Sequence, residues 1–300
     1  MPAAKMSLSA AASPGRAMLQ AALGIGLLSL MDATIKGLAA RYSVPEIAFV
    51  RYLVGSVLMV ALIAVQRPGW PSWETWRTNG LRALLVVATA LTFFTGLGRL
   101  PLAEALALSF LSPIFIALFA ALLLRESVRP QVWAALLLGL AGVLVVVGGQ
   151  IGTGISGEEI SGEAERLWGI AAVLVSALTY ALSMVLLRAR ARHDPVVTIV
   201  AIQNLGPAAM LAAPAAYTWV PVTGPDWLPF VLVGTLGVAG HLVLSRAYAG
   251  AEAARLAVME YTALIWAVAL GFLAFGEVPG LATAAGTGLI LAGSALAARR

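Results

Sequence analysis

Four ionisable side chains, Asp32, Lys36, His241 and Glu260, interrupt long apolar stretches of this chain. Placing such a group at the middle of a membrane helix costs at least about 2.5–3.5 kcal/mol, so it normally faces a cavity or a partner. Asp32 and Lys36 are four residues apart, one helical turn, which permits an ion pair or a place in a binding site. Lys36 is also near enough to an interface to extend its ammonium into it. His241 shares a helix face with Ser245, yet no acid accompanies them and no G-x-S-x-G elbow occurs, which speaks against a hydrolase. A histidine lining a cavity could instead donate a hydrogen bond or relay a proton. Glu260 follows Ala251 by nine residues and has Tyr261 beside it. At 1.5 Å per residue that is about 13 Å into a bilayer, where a carboxylate must pair or protonate. Ionised, it could meet a substrate ammonium; protonated, it could couple transport to protons; otherwise it bonds a neighbouring helix.

Hydroxyl and aromatic side chains supply the remaining candidates. They are Thr92, Phe93, Phe94 and Thr95, then Ser109 and Ser112 before Pro113, and Ser176, Thr179, Tyr180 and Ser183. Apolar walls with a few placed polar groups suit a small amphipathic ligand. Small hydroxyls also let helices pack closely, an equally ordinary use. Pro113 removes one helical hydrogen bond and frees a carbonyl. Gln203 and Asn204 read as contacts between helices, and Gly139, Gly142, Gly286, Gly288 and Gly293 as packing positions.

These residues need elements to hold them, and composition states the solvent. Apolar residues form 61% of the 300 and charged ones 11%, against roughly 45–50% and about 25% in soluble domains. Segments such as Ala83–Leu97 and Val132–Val147 are apolar all round, which suits lipid. With no cysteine and two histidines, no metal site or other cofactor is expected. Nucleic acid is not expected either, because the net charge of +5 is spread over the ends of apolar runs. A catalytic set does not assemble, so the chain reads as a non-enzyme. A non-transporting membrane scaffold is the contrasting possibility.

The expected fold is all-α and integral to the membrane. Ten apolar segments are expected at Ala17–Ala40, Val44–Gln66, Gly80–Gly98, Leu102–Leu124, Pro130–Gly149, Leu167–Ala189, Pro195–Trp219, Trp227–Ala249, Ala251–Phe275 and Pro279–Ala298. A tail over 1–16 precedes them, and a polar linker over 150–166 separates the halves 17–149 and 167–298. Of nineteen Lys and Arg, fourteen, among them Arg82, Arg188 and Arg255, fall on the side of the N-terminus. Three, Arg41, Arg99 and Arg166, fall opposite, and Lys36 and Arg51 lie within segments. Cations concentrate in cytoplasmic loops, so both termini are expected inside. A repeat runs through the halves: LAEALALSFLSPIF from Leu102 aligns at an offset of 151 with AARLAVMEYTALIW from Ala253, and Glu126 aligns with Glu277. Five segments per half make the two units antiparallel, the arrangement of alternating-access transporters.

Ten segments in two repeats, an Ala-rich fourth segment carrying Pro113, and Glu126 or Glu277 in the following turn resemble the EamA family of the drug/metabolite transporter superfamily. Within it the pattern is most similar to YddG-type exporters of aromatic amino acids. The resemblance implies a bacterial inner-membrane exporter in which segments 1, 3, 4, 6, 8 and 9 surround a central cavity and segments 5 and 10 are peripheral. Its implied partners are a small-molecule substrate and the lipid bilayer, with a monomer as the expected form. Leu264 stands where the first half has Pro113, which puts an equivalent kink in the ninth segment in doubt.

Overall fold

In hydrocarbon every backbone N–H and C=O must bond within the protein, so apolar segments of this length can only become helices. The computed structural model describes residues 14–39, 41–97, 99, 105, 108–151, 163–275 and 280–299. The helices are α1 (Pro14–Leu38), α2 (Val44–Gln66), α3 (Trp73–Leu97), α4 (Ser112–Leu123), α5 (Pro130–Ile151) and α6 (Glu163–Ala191). They continue with α7 (Val196–Tyr217), α8 (Trp227–Gly250), α9 (Ala253–Glu260), α10 (Thr262–Phe275) and α11 (Leu281–Ala298). No strand occurs among the described residues. Eight stretches are long and apolar enough to cross a membrane, the ninth expected segment counting through its break as Ala253–Leu270. The described part of α4 is apolar but shorter. Glu277, Pro279, the tail before Pro14 and most of the linker lie outside the described residues, as do the side chains of Lys36 and Phe94.

Two boundaries differ from expectation for physical reasons. Helix α3 starts at Trp73 rather than Gly80, because Ser72 accepts a hydrogen bond from Thr75 N (3.2 Å) and caps a polar first turn. The ninth segment is two helices, α9 and α10, interrupted at Tyr261.

Helix pairing has a simple exchange property. The principal contacts join α1 with α8 and α3 with α6, α2 with α8 and α3 with α7, α4 with α6 and α1 with α9–α10, and finally α2 with α7, α5 with α11 and α4 with α9. Swapping each helix of one half for its counterpart in the other returns the same set. Glycines show the property at atomic scale. A Cβ on Gly142 would lie 2.6 Å from Gly286 O, and one on Gly293 would lie 2.8 Å from Ala135 O. At the offset of 151, Gly142 corresponds to Gly293 and Ala135 to Gly286, so these are one contact made twice.

Polar clusters fasten the two ends. Asp226 is buried and accepts from Tyr42 Oη (2.7 Å) and Thr223 Oγ1 (2.6 Å) while pairing with Arg41 (2.6 Å). At the opposite end Asp194 pairs with Arg190 (2.7 Å) and accepts from Thr75 Oγ1 (2.9 Å). Between α4 and α5, Arg125 takes a left-handed conformation (φ 53°) that turns the chain sharply. Glu126 then receives Arg188 Nε (2.9 Å) on one oxygen and Ala253 N (2.9 Å) on the other. One carboxylate therefore neutralises a buried arginine and caps α9, where anions are favoured.

Candidate functional site

The break between α9 and α10 places the site. Helix α9 ends at Glu260, Tyr261 is the one non-helical residue, and Thr262 begins α10. Thr262 Oγ1 donates to Met259 O (2.6 Å), stabilising the turn without a proline. The equivalent residues of the first half, Phe110 and Leu111, are also a turn, immediately before Ser112 and Pro113. The absence of a proline at Leu264 thus does not spare the second half its break. Phe110 and Tyr261, counterparts at the 151 offset, pack ring against ring with centroids 6.1 Å apart. Residues that correspond under the exchange and also touch each other lie on its axis.

Beside that axis, Tyr180 Oη of α6 donates to Glu260 Oε2 (2.9 Å). Glu260 Oε1 is buried without a hydrogen-bond partner among the described residues, and so are Tyr248 Oη, Tyr261 Oη and Ser183 Oγ. Unpaired buried polar atoms are uncommon and individually costly, and Tyr248 and Glu260 lie within electrostatic reach of each other. Helix α8 contributes a polar face at His241, Ser245 and Tyr248, spaced by four and three residues.

Arg82 was expected at the cytoplasmic ends of the segments. It is instead only 2% exposed, donating from Nε to Ser183 O (3.0 Å) and from Nη1 to Asn79 Oδ1 (3.0 Å). Arg188, Arg190 and Arg255, counted the same way, are buried too. The signal for Arg82 is legible in retrospect. Thr75, Asn79 and Arg82 recur at helical spacing on α3, and Asn79 Nδ2 donates back to Thr75 O (3.0 Å).

The other expected residues divide. Asp32 has an exposed position on α1, eight residues after Gly24, and faces Arg51 electrostatically without an ion pair among the described residues. Arg51, which sequence reasoning passed over, reaches across from α2. A Cβ on Gly237 would stand 3.1 Å from its Nε. His241 is half-buried, and its Nδ1 lies 2.7 Å from Gly237 O, so its bond is within α8 and not to a neighbouring helix. Ser245, Ser112 and Pro113 are buried, whereas Phe93 and Ser109 are half-buried, each with a partner. Asn204 donates from Nδ2 to Val200 O of its own helix (2.7 Å), while its Oδ1 lies against Gly55 of α2, leaving no room for a Cβ there. Gln203 is buried with neither amide atom bonded among the described residues.

A cleft of about 310 Å³ also opens between the 67–72 loop and the α6–α7 turn, lined by Thr75, Arg190, His193 and Asp194. Its charged groups already pair with one another, so it lacks the unsatisfied atoms found around Glu260.

Comparison with known proteins decides the family. A model of the EamA-like transporter family matches twice, at residues 16–148 and 167–299. The chain belongs to the EamA-like transporter family. Relatives of this EamA protein include the pseudopaline exporter CntI of Pseudomonas aeruginosa, 27% identical, the alignment covering 91% of this chain and 93% of that one. A riboflavin transporter of Rhizobium johnstonii is 28% identical over 89% of this chain and 85% of its own. An S-adenosylmethionine uptake transporter of Rickettsia bellii is 23% identical over 90% and 91%. A solved crystal structure at 26% identity superposes with a TM-score of 0.78, covering 94% of this chain and 97% of that chain. The EamA chain is therefore a multi-pass membrane protein of a transporter family, with two copies of the family unit. These relatives carry chemically diverse cargo, so the family does not single out aromatic amino acids.

Proposed function

We propose that the protein carries small amphipathic, amine-bearing metabolites out across the bacterial inner membrane by alternating access of two inverted five-helix units. The units are 17–149 and 167–298, joined by an external linker at 150–166 after a cytoplasmic tail at 1–16. The exchange property of the helix pairing supports the inverted ten-helix arrangement, because two antiparallel copies must meet through matching faces. Orientation follows the surface cations: Arg16, Arg67, Arg77, Arg125, Arg129, Arg192 and Arg299 are exposed on the side assigned to the cytoplasm, and only Arg41, Arg99 and Arg166 are assigned outside. Leaving the buried Arg82, Arg188, Arg190 and Arg255 out of that count does not reverse it.

One observation carries the substrate reading: Glu260, at a helix break beside the exchange axis, keeps one carboxylate oxygen without a partner among the described residues. A ligand ammonium would satisfy it by a charge-assisted hydrogen bond. Tyr180 and Tyr248, beside Glu260, supply aromatic surface for an apolar body. Aromatic amino acids fit that description and are the first compounds to try. Purified protein in liposomes should move labelled phenylalanine or tryptophan. Flux no greater than in empty liposomes for every aromatic amino acid removes the aromatic assignment and leaves other amine-bearing metabolites or lipophilic cations.

A further inference from the structure

Arg82 is a charge without a counter-charge. It is nearly inaccessible, and its bonds go to a neutral carbonyl of Ser183 and a neutral amide of Asn79. No carboxylate pairs with it among the described residues. A buried guanidinium in this state is expensive and is ordinarily paired. Helix α6 links it to Glu260. Arg82 meets that helix at the Ser183 carbonyl and Glu260 meets it at the Tyr180 hydroxyl, residues three positions and about 4.5 Å of rise apart along α6. Tyr248 lies within electrostatic reach of Glu260 and Arg82, as well as of Glu126 and Arg188. Ser183 Oγ and Tyr248 Oη, each in a fully buried residue, have no partner among the described residues. A cation, an anion and unpaired hydroxyls thus converge on one stretch of α6.

We infer that Arg82 and Glu260 form a dipolar recognition site for a zwitterion, the guanidinium taking the ligand carboxylate and the free oxygen of Glu260 taking its ammonium. Ser183 and Tyr248 complete the carboxylate's hydrogen bonds. The substrate class narrows from amines to compounds that carry both charges. This rests on Glu260 being a ligand group in a transporter, and Arg82 adds the second half of the specificity. An arginine serves here because its planar donors match a carboxylate.

The test compares pairs of ligands that differ only by the carboxylate: tryptophan with tryptamine, and phenylalanine with phenethylamine. Affinities are read from thermal-shift titrations of the purified full chain in detergent. Wild type should bind the carboxylate-bearing member at least about tenfold more tightly. Arg82→Gln should weaken the zwitterion by about 10- to 100-fold and leave the amine within about threefold, cancelling the preference. Glu260→Gln should weaken both members. If Arg82→Gln does not fold, Arg82→Lys decides. It keeps the charge and should lose about three- to tenfold on the zwitterion alone. Equal weakening of both members makes Arg82 a strut between α3 and α6 and overturns the inference, as does a wild type that binds amines and zwitterions alike. Binding of no member of either pair overturns the dipolar site and removes aromatic compounds from the proposed cargo.

Discussion

The hydroxyl of Tyr180 and the carboxylate of Glu260 meet at 2.9 Å, joining α6 to the end of α9, while the second oxygen of that carboxylate has no partner among the described residues. Tyr180→Phe removes the donor and leaves a second buried acceptor unsatisfied. The variant should lose about 1–3 kcal/mol, seen as a lower midpoint in thermal unfolding of the purified protein, with reduced transport. An unchanged midpoint would mean that the bond contributes nothing to the fold.

Glu126 bears on architecture rather than cargo. Because it neutralises Arg188 and caps α9 together, Glu126→Ala should cost about 3–5 kcal/mol, the range for breaking a buried pair. Arg188→Met combined with Glu126→Ala should recover part of the loss, since no unpaired charge remains. Additive losses in the double-mutant cycle would show that the two do not interact.

The duplicated glycine contact gives a contrast within α5 and α11. Gly142→Leu forces a side chain against Gly286 O and should prevent accumulation of folded protein. Gly288 has open space where a Cβ would stand. Gly288→Ala should therefore be neutral or stabilising by up to about 1 kcal/mol. Detergent-solubilised size-exclusion profiles and thermal midpoints of the two variants check this.

Sidedness can be read directly because the chain has no cysteine. Single cysteines at Arg67, between α2 and α3, and at Tyr217, at the end of α7, should behave oppositely in intact cells. Tyr217→Cys should react with a membrane-impermeant maleimide and Arg67→Cys only after lysis. The reverse pattern would invert the proposed topology.

Much of the helical plan was legible because lipid leaves few alternatives. An apolar run of the right length must be a helix, and the offset of 151 exposed the repeat before any coordinates did. Glu260 stood out because an acid inside an apolar run is expensive wherever it points. Arg82 did not stand out, since it lies nine residues beyond Trp73 at the edge of the apolar stretch and resembles a loop anchor. Only its bond to Ser183 O, across 101 positions of sequence, shows that it is turned inward. The break at Tyr261 was hidden for a similar reason. Proline is the usual signal for a helix break, and here a threonine hydroxyl bonded to Met259 O performs that role. Asn204 was legible as a contact between helices, since its Oδ1 lies against Gly55 of α2, although its Nδ2 bonds its own preceding turn.

The most direct test of the central claim is tryptophan counterflow in proteoliposomes, comparing wild type with Glu260→Gln at matched thermal stability. The account predicts flux above empty liposomes for wild type and at least about a tenfold loss in the variant. Equal flux in the two proteins would contradict a ligand role for Glu260.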